Sequence, residues 1–77
     1  MSDGHRKMEP VPIPENVYRV VDAIRRSGVT NMLDRPMVIE ITRQLGFQDE
    51  AQWIEQHPDR YANGVFLGFN PVPERRA

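Results

Sequence analysis

The sequence predicts an all-α fold: a small three- to four-helix domain over residues 14–69, with a helix-turn-helix-like centre between flexible, proline-rich termini. Three observations predict it. Apolar residues recur at i, i+3, i+4 and i+7 in two separate stretches, the spacing of one helical face. Glycines and prolines fall where those stretches would stop and start. No pair of alternating apolar and polar segments offers itself as a sheet.

Residues 1–13 read as a flexible arm, in which Pro10 and Pro12 alternate with Val11 and Ile13 up to Pro14. Alternate prolines favour an extended, polyproline-like backbone, and a terminus of this kind is commonly disordered. Pro14 opens the first helix, with Glu15 and Asn16 in its first turn, a placement that suits proline's fixed φ and the positive end of the helix dipole. Val17, Val20, Val21 and Ile24 form its core face. Glu15 with Arg19 and Asp22 with Arg26 are i, i+4 pairs on the solvated side. Three valines and an isoleucine give weak intrinsic helix propensity, so packing must hold this helix. Gly28, after Arg25 and Arg26, ends it.

The stretch from Ser27 to Gly46 organises the chain. Thr30 and Asn31 favour a turn through side-chain to backbone bonds, and Met32 and Leu33 pin that turn to the core. Asp34 caps a second helix that carries Pro36 in its first turn. Val38, Ile41, Thr42 and Leu45 line one face of it, and Gly46 stops it. Asp49 as N-cap with Gln52 at N3 has capping-box spacing and starts a third helix running through Trp53 and Ile54 to Gln56. Pro58 turns the chain into a fourth helix, on which Tyr61, Ala62, Val65, Phe66 and Phe69 share a face. Gly64 and Gly68 weaken that helix by roughly 1 kcal/mol each, but a strand over residues 65–69 would have no partner. Pro71 and Pro73 leave residues 70–77 as a flexible tail.

The predicted core comprises Val17, Val20, Val21, Ile24, Leu33, Val38, Ile41, Leu45, Phe47, Trp53, Ile54, Tyr61 and Phe66. At about 1.5–3 kcal/mol per large buried side chain, before conformational entropy, such a core gives a marginal monomer. Tyr18, Met37, Ile39 and Leu67 lie off the stripes and mark either a broad apolar face or a homodimer patch.

Composition bounds the function. The 77 residues carry a net charge of −1 and no cysteine, which allows one domain without disulfides or thiolate metal sites and gives no global field for nucleic acid or anionic membrane. No run is long enough to span a membrane and the N-terminus lacks a signal-peptide core, so a cytoplasmic protein is expected. The only histidines are His5 and His57 and the only serines Ser2 and Ser27, so neither a metal cluster nor a nucleophile beside a base is in sight. No catalytic residue, no cofactor-binding residue and no metal ligand is assigned, and the chain is read as a non-enzyme. A DNA-reading alternative uses the leucine-glycine turn of ITRQLGFQDEAQWI, with Arg43 and Gln52 as contacts. Asp49, Glu50 and Glu55 would then face phosphates, so a protein partner or self-association ranks ahead of nucleic acid. Thr30, Asn31, Asp34 and Arg35 are the candidate site: a polar corner closing a turn, and a possible contact surface for that partner.

The same residues carry a resemblance. Ser27-Gly28, Thr30-Asn31-Met32 and Asp34, followed by Gly46-Phe47, Trp53-Ile54, Tyr61 and the Phe66 to Gly68 ending, resemble a family of short uncharacterised phage and prophage proteins known as a domain of unknown function. Its pattern is SG-x-TNM-x-D, an amphipathic helix and a glycine-aromatic turn, and the resemblance covers Asn16 to Gly68. Pro36 and the proline-rich termini depart from it. The resemblance implies a small helical protein from a mobile element and supplies no catalytic residue; the expected function is a non-enzymatic interaction module that works by protein–protein contact.

Overall fold

The computed structural model describes residues 9–73. Four helices and two short strands follow in the order β1 (Val11–Pro14), α1 (Glu15–Ser27), α2 (Arg35–Gln44), α3 (Gln48–Gln56), α4 (Pro58–Leu67) and β2 (Phe69–Val72). The fold is mostly helical, but the all-α expectation is corrected by β1 and β2, which pair in parallel with Val11 opposite Phe69 and Ile13 opposite Pro71. What remains of the expected arm and tail, residues 1–8 and 74–77, lies outside the described residues.

The prolines that argued against a sheet explain how it is possible. Along a strand, successive residues turn their backbone groups to opposite edges. The Val11 N–H donates to Gly68 O at 2.9 Å, so Val11 and Ile13 face β2 while Pro12 and Pro14 face away. The register likewise turns Pro71 of β2 outward. Each proline thus stands where no ladder donor is needed, and the outer edges offer few N–H groups to an intruding strand. The outward Pro12 carbonyl accepts from Arg60 of α4 at 3.4 Å.

The helix punctuation follows the chemistry expected of it. Gly28 takes the left-handed conformation (φ 70°) beyond α1, and its N–H returns to Arg25 O. Asp34 caps α2 by accepting from the Met37 N–H at 3.3 Å, and Pro36 and Pro58 sit in first turns. Glu15–Arg19 and Asp22–Arg26 both form at 2.9 Å, and Asp22 also holds Arg25. The expected Asp49 cap is corrected. Phe47 O already accepts from Ala51, so α3 begins at Gln48 without a side-chain cap and places Asp49 and Glu50 in its first turn.

The buried core is Ile13, Val17, Val20, Val21, Ile24, Val38, Ile39, Ala51, Ile54 and Tyr61, with Thr42 beside them. Leu33, Leu45, Phe47 and Phe66, expected inside, are exposed, and Ile41 and Trp53 are only partly buried. The reason for α2 is rotational. The helix faces the core with Val38, Ile39 and Thr42, which swings Leu45 outward just where Gly46 (φ 93°) reverses the chain. Ile39 is therefore unavailable to a dimer patch, whereas Met37 is exposed and Tyr18 and Leu67 are half-buried.

On α4, Gly64 is buried because the Phe69 ring lies directly on it: a Cβ added there would fall 1.9 Å from Phe69 Cε1. Phe69 also meets Tyr61, with ring centroids 6.0 Å apart. This seat ties the start of β2 to α4 and so fixes the strand that pairs with β1.

Candidate functional site

The corner from Thr30 to Arg35 is a joint between four elements. Asn31 Oδ1 accepts from the Leu33 N–H at 2.8 Å, and Asn31 O accepts from the Asp34 N–H at 2.9 Å, which closes the turn before Asp34 caps α2. Tyr61 Oη of α4 donates to Met32 O at 2.6 Å. Arg35 reaches across to the C-terminal end of α3 and donates to Ile54 O and Glu55 O at 3.3 and 3.4 Å, where a cation suits both the free carbonyls and the dipole. Thr30 is half-buried at the start of the turn. Of the four predicted residues, Asn31, Asp34 and Arg35 are thus engaged in holding the corner.

Tyr61 is the titratable group this corner perturbs most. Burial pushes its hydroxyl up from 10.0 to about 12, against the pull of Arg35 and with a push from Asp34. Because the folded value lies above the unfolded one, the associated stability is fully present below pH 10 and is lost as pH rises through about 12. Tyr61→Phe removes that loss together with the bond to Met32 O. Denaturant melts from pH 8 to 12 should show wild type exceeding the variant by about 1 kcal/mol at pH 8, with the gap narrowing toward pH 12. A constant gap would mean that Tyr61 ionises equally in both states.

The two residues of the DNA-reading alternative are placed apart in role. Arg43 is bound to Glu55 at 2.6 Å, tying α2 to α3, and Gln52 is exposed on α3. Arg19, Arg25, Arg26, Arg35 and Arg60 also have oxygen partners within the protein, so each described arginine is spoken for. Asp22, gripped first by its hydrogen bond to Arg25 and then by the neighbouring charges, has its carboxyl held below the ordinary value of 3.8 in spite of desolvation. His57 stacks on Trp53 with ring centroids 4.3 Å apart. Its Nδ1 lies 2.8 Å from Trp53 O, and since a carbonyl only accepts, that nitrogen carries the proton. Among the described residues no group of three or more His, Cys, Asp or Glu is placed to hold a metal, and no helix is long and apolar enough to cross a membrane.

Sequence reasoning missed two apolar grooves. One, of about 290 Å³, lies between α1 and α4, with Tyr18, Val21, Met32, Val65 and Phe69 as its apolar lining and the Asp22–Arg25 pair beside them. The other, of about 370 Å³, is formed by Val20 and Ala23 of α1 against Leu45 and Phe47 of the α2–α3 turn. Arg19, Asn16 and Glu50 complete its lining, and Asn16 Nδ2 donates to Glu50 Oε2 at 2.9 Å. The signal in the sequence was Leu45-Gly46-Phe47: two large apolar residues around a positive-φ glycine sit on a reversal, where both cannot turn inward.

No curated protein and no solved structure matches the chain. Residues 13–68, from the buried Ile13 to the glycine before β2, do match a family, and the chain belongs to that family, a domain of unknown function designated DUF5049.

Proposed function

We propose that the protein is a small non-enzymatic interaction module, encoded by a phage or prophage, that acts through contact with itself or with a host or phage protein. The observation that carries this reading is the amount of large apolar surface outside the core. Phe66 is 73% exposed, Leu45 57% and Leu33 53%, with Val29, Met37, Phe47 and Val72 also exposed. Single exposed apolar residues are ordinary, but this many on so small a domain is what a contact surface requires. The resemblance through SG-x-TNM-x-D supports the phage assignment.

Size-exclusion chromatography with light scattering over a range of concentrations tests the self-contact, and capture from host lysate tests the heterologous one. A concentration-dependent mass or a specific captured protein is expected. A strictly monomeric chain that captures nothing would remove the reading.

A DNA-binding regulator is the second reading, favoured by one observation: α2 and α3 are in contact and joined by the three-residue turn Leu45 to Phe47, a connection of the length a helix-turn-helix pair uses. Arg43 and Gln52 would be its contacts. It ranks second because Asp49 and Glu50 lead α3 and Arg43 is held by Glu55. It requires a duplex affinity that falls steeply with salt, and no mobility shift at low salt would dismiss it.

A further inference from the structure

We infer that Asn63–Gly64 is a self-modification site, at which the folded α4 holds off conversion of Asn63 to isoaspartate and the product, once made, keeps the fold from closing again. Asn63 is the only asparagine in the chain followed by glycine. The reaction is internal: Gly64 N attacks Asn63 Cγ, the N–Cγ bond forms as the Cγ–Nδ2 bond breaks, and Nδ2 leaves as ammonia with the proton lost by Gly64. Water then opens the resulting succinimide ring to isoaspartate or aspartate. A Cβ on the following residue crowds that attack, as at Asn16-Val17 and Asn31-Met32, and Asn70 is followed by Pro71, which has no N–H to give up.

The fold supplies the guard. Asn63 is exposed to water, but Gly64 is buried in the interior of α4. There its N–H is committed to the carbonyl one turn back, and the helical backbone at Asn63 keeps that nitrogen out of reach of Cγ. Attack therefore requires α4 to open. The helix has no side-chain N-cap, a glycine in its interior and another at its end, all of which lower the cost of local opening. The product acts on the packing. Isoaspartate carries the chain through its side chain and so adds one backbone carbon between Tyr61 and Gly64. Tyr61 is anchored by its bond to Met32 O, while the Phe69 ring lies on Gly64 and meets Tyr61 as well. An extra carbon moves these two contacts out of the single helical register that satisfies both, and β2 loses the seat that holds it beside β1. Opening permits the conversion, and the conversion prevents reclosing.

The test incubates the full chain at mildly alkaline pH, in buffer and in denaturing urea, and follows the tryptic peptide after Arg60 by mass spectrometry with isoaspartate mapping. Conversion should be at least about tenfold slower in buffer than in urea, the ratio following the population of opened α4. Phe69→Leu, verified as folded by circular dichroism, should speed conversion several-fold in buffer and leave it unchanged in urea, and Asn63→Gln should abolish it on the same timescale in both. The isoaspartate form, separated by chromatography, should melt well below Asn63→Asp, which adds the same charge without the extra carbon. Equal rates in buffer and urea would overturn the guarding role of α4. An isoaspartate form that melts with Asn63→Asp would overturn the claim that the product cannot reclose.

Discussion

Replacing Gly64 with alanine should destabilise the protein by about 1–3 kcal/mol, the usual cost of forcing an extra carbon into a packed interior. Helix propensity alone predicts the opposite sign, since alanine is better than glycine in a helix interior by about 1 kcal/mol. The geometry decides between them. A Cβ at position 64 would lie 1.9, 2.3 and 2.5 Å from three ring atoms of Phe69, closer than carbon atoms approach. The ring cannot simply swing aside, because Phe69 begins β2 opposite Val11 and its other neighbour is Tyr61. At roughly 4–8 °C per kcal/mol for a domain of this size, thermal melts should show a clear drop in Tm. A double-mutant cycle with Phe69→Leu should recover part of the loss, since the smaller side chain vacates the ring's edge. A rise in Tm on Gly64→Ala would show that the close approach is not maintained in solution.

Ile13→Ala should cost about 2–5 kcal/mol, the range for truncating a fully buried aliphatic side chain. Read as part of an arm, Ile13 would tolerate alanine without effect. In the structure it is 1% exposed and packs with the core while its backbone faces β2. Total stabilities of small domains are about 5–15 kcal/mol, so the loss is a large share of what holds the chain folded. Urea melts of Ile13→Ala beside Val11→Thr, a half-buried position whose backbone also faces β2, separate full burial from strand pairing. An Ile13→Ala midpoint within error of wild type would return residues 11–14 to the status of a loose arm.

What was legible in the sequence was local. Gly28, Asp34, Pro36 and Pro58 mark helix ends through their own backbone preferences, and the α1 stripe of Val17, Val20, Val21 and Ile24 is regular enough to fix its face without knowing the neighbours. What was not legible depends on partners distant in the chain. Val11–Pro14 becomes a strand only because Phe69–Val72 lies alongside, and proline alternation hides the pairing by removing every second donor. Gly64 reads as a weak point of a helix until Phe69 is placed on it. The α2 stripe was right at Val38 and Thr42 but took Ile41 and Leu45 for Ile39, because Ile39 and Ile41 are equally apolar and only packing within the folded core selects Ile39. At the corner, Asn31 and Asp34 were readable as turn and cap residues, whereas the reach of Arg35 to the α3 carbonyls and of Tyr61 to Met32 O crosses about twenty to thirty positions and leaves no mark in the pattern.

The parallel sense of the two-stranded ladder also sets how the domain carries load. Both strands run the same way, so whatever precedes Val11 leaves at one end of the ladder and whatever follows Val72 leaves at the other, about 10 Å further along at 3.3 Å per residue. A tension applied through the two ends drags the strands past each other along their length. Their bonds are then strained together in shear instead of being unzipped singly.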